Sequence, residues 1–327
     1  MSDVPGARSL TLGEQGTVFV GTRPEGKVYA IPDTNHDQKG DTLLTLAENL
    51  NYPNGVAFYR GALYVAEMQR VIRFDGIESS LRTPPAPVVV HDTLSQETIH
   101  GWKYLRFGPD SLLYVPIGSP CNVCLPATER IGTILRMDPD GANLTVVAKG
   151  IRNTVGFDWH PVTRELWFTD NGRDFLGDNL PPDELNRVSA LGENFGFPYC
   201  LGNGEPDPDL GAGVSCADYV APVQPLGAHV ASLGMRFYTG NMFPAEYKNQ
   251  IFIAEHGSQN STVPVGYRVT LVRLSGNQAV SYEVFADGWL TDTGVTGRPV
   301  DILVMPDGAL LISDDFGGKV YRLYYKE

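Results

Sequence analysis

Five short runs of this sequence carry side chains able to move a proton or grip an anion. They are Asn51-Tyr-Pro-Asn54-Gly55, Thr98-Ile-His100-Gly-Trp-Lys-Tyr-Leu-Arg-Phe-Gly-Pro-Asp110, Gly150-Ile-Arg152-Asn153, His229-Val-Ala-Ser232 and Gly297-Arg298-Pro-Val-Asp301. Histidine titrates near neutrality and suits general-base work. Arginine presents a planar fork that matches carboxylates. Taken singly, a His or an Arg-Asn pair before a strand is ordinarily a turn cap or a solvated residue. Taken together they share one slot in a repeated unit, and that slot is polar and different each time. Slots that serve only the fold repeat one residue, as the Pro-Asp-Gly turns here do. The expectation is a polar, partly cationic funnel.

A sixth run, Phe168-Thr-Asp170-Asn171-Gly172-Arg173-Asp174, continues to Asp178-Asn179 and Asp183-Glu184-Leu-Asn186. Carboxylate, amide and backbone oxygens at this density suit a hard cation such as Ca2+. The EF-hand register fails, however: counted from Asp170, Phe175 stands where Gly is needed and Pro181 where Glu is needed. A site built partly from loop carbonyls stays open, beside the plainer reading of solvated acidic turns. No Gly-x-Ser-x-Gly elbow, Walker loop or dinucleotide fingerprint is present, and His256 lacks a second His at helical spacing.

Six repeats must position these runs. Each is a short apolar strand, a turn, a second apolar strand with a polar end, and then a third strand. The last copy is the clearest: Asp301-Ile-Leu-Val-Met-Pro-Asp-Gly-Ala-Leu-Leu-Ile-Ser-Asp-Asp315 followed by Gly318-Lys-Val-Tyr-Arg-Leu323. The others start at Leu10, Gly55, Tyr104, Gly156 and Gly234. One such sheet cannot bury both faces alone, so neighbours must stack about an axis. The fold class is therefore all-β, a six-bladed β-propeller of four-stranded antiparallel sheets, with residues 1–327 as a single catalytic domain. The 36 Gly and 24 Pro supply the many turns such a chain needs. No apolar run reaches the length of a membrane span, and Phe243-Pro-Ala-Glu-Tyr247 reads as one short turn between strands.

With 25 Lys+Arg against 38 Asp+Glu, the net charge of −13 and the lack of basic clusters exclude nucleic acid as a partner. Zinc binding needs four soft ligands converging from two arms, but Cys121-Asn-Val-Cys124 and Cys200…Cys216 belong to different repeats. Two loop-stapling disulfides fit better and point to an oxidising compartment, periplasmic or extracellular. Met1-Ser-Asp-Val-Pro-Gly-Ala-Arg8 has no apolar signal-peptide core, so it reads as a mature chain with an added initiator Met.

The ordered set of these phrases resembles the soluble quinoprotein glucose and aldose sugar dehydrogenases. The set runs through His100, Leu105-Arg-Phe-Gly-Pro-Asp110, Gly150-Ile-Arg152-Asn153-Thr-Val-Gly156, Asn171-Gly172-Arg173, Asp183-Glu184-Leu-Asn186, Gly192-Glu-Asn194-Phe-Gly196-Phe-Pro198 and Arg298-x-x-Asp301. Thr169-Asp-Asn-Gly-Arg-Asp174 and Glu255-His-Gly-Ser258 are closest to the sorbosone dehydrogenase-like branch. The resemblance implies a dehydrogenase dependent on pyrroloquinoline quinone (PQQ) and Ca2+ that oxidises the anomeric or aldehyde carbon of a sugar. It implies His100 as the general base and Arg152 as the group beside the reacting quinone carbonyl. Asn153 and Arg298 would hold the cofactor, with His229 and Asn54 joining them from the mouth. The backbone carbonyls of Gly172 and Arg173 would ligate Ca2+.

The chain also departs from that pattern. Val300 stands where the glucose enzymes have a second Arg, and no Lys reaches the cofactor from the fifth blade, which leaves His256 or His229 for that place. Leu125 follows Cys124, so no Cys-x-x-Cys-His haem attachment exists and electrons must leave to a separate acceptor, whether quinone, cytochrome or dye. Two other readings stand beside this one. A calcium-dependent lactonase on a similar propeller suits Asn54, Asn153 and Asn171 but not the charges of Arg152 and Arg298. A non-enzymatic binding propeller would make the funnel incidental.

Overall fold

The structure, a computed structural model, describes every residue except Ser2, Gln96 and Glu327. Six antiparallel sheets stand as blades around a central channel, as the repeats require. Blade I is Leu10–Leu12, Val18–Val20, Val28–Ile31 and Leu44–Ala47; blade II is Gly55–Tyr59, Ala62–Ala66, Val71–Phe74 and Val88–His91. Blade III is Arg106–Phe107, Leu113–Ile117, Thr133–Met137 and Thr145–Lys149, with Glu193–Asn194 added parallel to its outer edge. Blade IV is Gly156–Trp159, Leu166–Asp170, Pro182–Val188 and Gln224–Ala228; blade V is Ser232–Phe237, Ile251–Glu255, Arg268–Ser275 and Gln278–Ala286. Blade VI has three strands, Pro299–Val304, Leu310–Asp314 and Lys319–Leu323.

The amino terminus takes the fourth place in blade VI. Met1 and Val320 exchange backbone hydrogen bonds of 2.9 Å, and Val4 N–H donates to Gly318 O at 2.9 Å. Capping that edge removes a row of unpaired donors and acceptors and closes the ring. Deeper in the channel Asp301 performs a second closure. Its carboxylate accepts the Leu10 N–H at 2.9 Å and lies 3.5 Å from Arg236 Nη2. Asp301 therefore sews blade VI to blade I and does not face the mouth.

Burial runs outward from the axis. The second strands of blades II to VI are buried at every position, because each is covered on both faces by neighbouring blades. The outer strand Val88–His91 is half exposed. Turns obey local sterics: Gly308, in the Pro306-Asp307-Gly308 turn, adopts φ +95°, and a Cβ there would meet Met242 N at 2.6 Å. Phe243–Tyr247 ends in the single turn Ala245–Tyr247.

Both cysteine pairs are bonded, Cys121 to Cys124 and Cys200 to Cys216. The second staples an excursion, residues 189–223, between the last two strands of blade IV. Loop-closure entropy makes a bridge of that separation worth about 3 kcal/mol and the tighter one about 2 kcal/mol. Replacing Cys200 and Cys216 by Ser should therefore lower the melting temperature more than replacing Cys121 and Cys124, read by calorimetry. Equal effects would contradict this.

Candidate active site

Antiparallel order sends two kinds of loop to one end of the channel: those that precede an innermost strand, and those that join the second strand to the third. The first kind carries Asn54, His100, Arg152, His229 and Arg298. The second kind brings Arg23, the Ser119–Cys124 loop, Asn171-Gly172-Arg173, His256-Gly257-Ser258 and Asp315 to the same mouth. A cavity of about 770 Å³ lies at the opposite end among the turns near Gly16, Lys39 and Asp307, and none of the candidate site residues lines it. Volume alone would misplace the site.

His100 sits in a left-handed turn, φ 50°, and its Nδ1 donates to Ser119 O at 2.7 Å. That bond fixes the neutral tautomer with the Nε2 lone pair unengaged by any described residue. Burial, reinforced by the nearby Arg152 charge, pushes its pKa down to about 4. Lys103, fully enclosed beneath this turn, bonds Gly101 O, and burial pushes its pKa down to about 7.

Arg152 is 5% exposed, yet its guanidinium is held at the mouth. Its Nε donates to Asn122 O at 2.9 Å, Nη1 to Asn171 O at 3.3 Å, and Nη2 to Asn122 Oδ1 at 3.0 Å and Asp174 Oδ2 at 3.4 Å. The Asp170 carboxylate, at the end of a buried strand, accepts the backbone N–H groups of Arg152 at 2.8 Å and Asn153 at 2.6 Å, which sets the loop's course. Burial pushes both Asp170 and its cross-strand neighbour Glu184 upward in pKa; the Asp183 charge adds to the rise at Asp170, and the Asp170 charge to that at Glu184. Asn153 Nδ2 donates to Asn171 Oδ1 at 3.2 Å, and Asn171 Nδ2 donates on to Ser232 O at 2.7 Å.

Asp183 accepts the N–H of Gly172 at 2.9 Å and of Ser232 at 2.8 Å, joining the loops of blades IV and V. The Arg173 side chain turns away to Asp207 and Asp209, both at 2.8 Å, so its charge is neutralised. The carbonyl oxygens of Gly172 and Arg173 accept no hydrogen bond from the described residues. Among those residues, no three His, Cys, Asp or Glu side chains meet as metal ligands. Any cation held here would depend on backbone oxygen.

The other expected residues divide. His229 donates from Nε2 to Gly177 O at 2.7 Å, with Nδ1 3.9 Å from Asp174 Oδ1. Arg298 points at the carbonyls of His256, Gly257 and Ser258 and lies over the Tyr267 ring at 5.5 Å. His256 pairs with Asp315 at 2.9 Å, and Asp315 also pairs with Arg8 at 2.8 Å. Asn54 is the correction. It is fully buried, and its amide accepts from Arg8 Nε at 2.8 Å and donates to Lys103 O at 2.8 Å. With no surface to offer, it positions Arg8 and cannot touch a ligand.

The floor of the mouth went unread in the sequence. Trp102, Val155, Leu233 and Val300 form one apolar cluster contributed by four blades. Val300 completes this apolar cluster, where a charge would be desolvated. Arg23 stacks 4.0 Å from the Trp102 ring centre. Burial and the adjacent Arg8 push its pKa down to about 10. Arg23 Nε, Trp102 Nε1 and Thr154 Oγ1 are buried without a partner. Buried donors are normally satisfied, so these three are polar atoms that no described residue serves.

Comparison with known proteins agrees with this architecture. An uncharacterized protein of Borreliella burgdorferi is 34% identical over 98% of this chain and 86% of its own length. The calcium structure of Trichoderma reesei Carbohydrate-Active Enzymes Family AA12 superposes with a TM-score of 0.83, covering 99% of this chain and 93% of that one at 21% identity. The holo PQQ domain of pyranose dehydrogenase from Coprinopsis cinerea gives 0.82, covering 99% and 94% at 17% identity. At such identities the two structures establish the shared fold alone. The profile of the TrAA12-like family, by contrast, matches residues 1–326, nearly the whole propeller with its mouth loops, and the chain belongs to that family.

Proposed function

We propose that this protein is a PQQ- and Ca2+-dependent sugar dehydrogenase that oxidises the anomeric hydroxyl or aldehyde carbon, in the manner of the aldose sugar and sorbosone-oxidising branch. One observation carries the reading: a histidine with Nδ1 engaged and Nε2 open stands beside a guanidinium at a mouth with an apolar floor. PQQ is planar and carries several carboxylates. The floor of Trp102, Val155, Leu233 and Val300 suits its rings, and Arg23, Arg152, Arg298 and Asn153 suit its acceptors. The calcium structure of family AA12 and the holo PQQ domain of pyranose dehydrogenase share this fold, which supports the assignment.

When bound, PQQ supplies a two-electron acceptor that takes the hydride from the sugar carbon. His100 Nε2 takes the hydroxyl proton as the carbonyl of the product forms, and the Nδ1 bond to Ser119 O keeps the ring in the needed tautomer. The remaining Arg152 N–H stabilises negative charge that develops opposite the substrate. The electrons leave to a separate acceptor. The two disulfides fit an oxidising compartment, periplasmic or extracellular. No helix among the described residues is long and apolar enough to cross a membrane.

Loading the protein with PQQ and Ca2+ and presenting a panel of sugars with an acceptor dye tests this reading. Dye reduction dependent on both additions supports it, whereas acid release from lactones without any acceptor would favour a lactonase. A second expectation concerns the metal. Because Gly172 and Arg173 would act through carbonyls, Arg173→Ala should leave calcium affinity within about tenfold, roughly 1.4 kcal/mol, by calorimetric titration. Complete loss of calcium binding would instead give the side chain a role.

A further inference from the structure

The Ser119–Cys124 loop touches both proposed catalytic side chains. Ser119 O accepts from His100 Nδ1, and Ser119 Oγ lies 3.2 Å and 3.7 Å from the sulfurs of Cys121 and Cys124. Between those cysteines, Asn122 grips Arg152 twice, through its carbonyl to Nε and through Oδ1 to Nη2. The same Oδ1 accepts the Asp174 N–H at 2.8 Å, and Nδ2 donates to Asp174 O at 3.1 Å.

We infer that Asn122 is a positioning residue for the reaction, fixing the plane of the Arg152 guanidinium, and that the Cys121–Cys124 disulfide holds Asn122 in place. The inference rests on the reading of Arg152 as the charge-stabilising group. Two bonds from one residue to Nε and Nη2 define a plane, where a single bond would leave a pivot. With Asn171 O and Asp174 Oδ2 engaged as well, four of the five guanidinium N–H groups are held and one on Nη1 stays available.

The partner's chemistry also matters. Asn122 offers neutral oxygens, so it orients the charge without cancelling it. Among the described residues, the one carboxylate that reaches the guanidinium, Asp174, does so at 3.4 Å. Asn122 also crosses from the blade III loop to the blade IV loop, so the same bonds fix Asp174 against Arg152. A disulfide over so short a loop constrains the unfolded chain less than the longer bridge does. Its consequence is local: it denies the Asn122 loop the freedom to swing away.

The test is a double-mutant cycle on the PQQ- and Ca2+-loaded protein, with N122A, R152A and the pair. The readouts are kcat, the dissociation constant for PQQ from fluorescence quenching without sugar, and the melting temperature. A misplacement of about 1 Å costs on the order of 10²-fold, so N122A should lower kcat roughly 10–100-fold. The pair should be no slower than R152A alone, and the effect of N122A on PQQ affinity should likewise vanish in the R152A background. Losses that multiply in the pair, or a wild-type kcat in N122A with only a lowered melting temperature, would overturn the role. An R152A variant that turns over normally would overturn the function reading itself, a different outcome from a crippled R152A beside a healthy N122A. C121S/C124S should follow N122A in kcat while melting near the wild type; a wild-type kcat there would overturn the disulfide's part.

Discussion

His100→Ala is expected to lower kcat by roughly 10²–10⁴-fold, the usual cost of losing a general base, while PQQ still binds. The substitution removes the ring whose Nδ1 is anchored at Ser119 O and whose Nε2 faces no protein partner among the described residues. It leaves Arg152, Asn153 and Arg298 untouched. The pH dependence adds an independent readout. Burial and Arg152 hold the His100 pKa near 4, so the ring is neutral and able to accept a proton throughout the range above that value. The acid limb of kcat/KM should therefore lie well below the ordinary histidine range, with activity falling as pH drops through about 4. Near-normal turnover in His100→Ala would remove the base assignment. An acid limb at the usual value of about 6.5 would contradict the burial argument.

Chelation should abolish turnover, and added Ca2+ should restore it. The physical basis is the pair of carbonyls at Gly172 and Arg173, which find no donor while the Arg173 charge is neutralised by Asp207 and Asp209. Carbonyl oxygens on a loop suit a hard cation. Asp183, by holding the Gly172 N–H, fixes the Asn171–Gly172 peptide immediately before these carbonyls. Prolonged incubation with excess chelator is the decisive arm, because a slowly released ion can mimic independence. Full activity after such treatment would count against any metal at this loop.

The blades were legible because strand–turn–strand repeats of apolar residues can be buried only by stacking. The funnel was partly legible for the same reason: a slot that stays polar in every repeat has a common address. The slot places His100, Arg152, Asn153 and Arg298 at one end of the channel, but a polar residue in it can equally face inward, as Asn54 does to hold Arg8. Arg23 and Asp315 occupy the other set of loops at the same end. Counting loop parity from the strand order would have found them. The apolar floor was harder, because Trp102, Val155, Leu233 and Val300 look like ordinary core residues until four blades bring them together. The Gly172–Arg173 carbonyls carry no side-chain signal at all.

The loss of the expected fifth-blade Lys and of the second Arg at Val300 also gains a physical account. Blade I brings Arg23 to this mouth, beside Trp102, while Arg8 behind it is buried and paired with Asp315, which His256 also contacts.

The central claim is that this mouth binds PQQ and passes sugar electrons to it, and one spectroscopic titration tests it most directly. The purified chain is mixed with PQQ and Ca2+, the quinone absorbance band is recorded, and sugar is added without an external acceptor. The account predicts a bound-quinone band that sugar bleaches in wild type and that persists unbleached in His100→Ala. A spectrum identical to free PQQ, unchanged by any sugar in the panel, would contradict it.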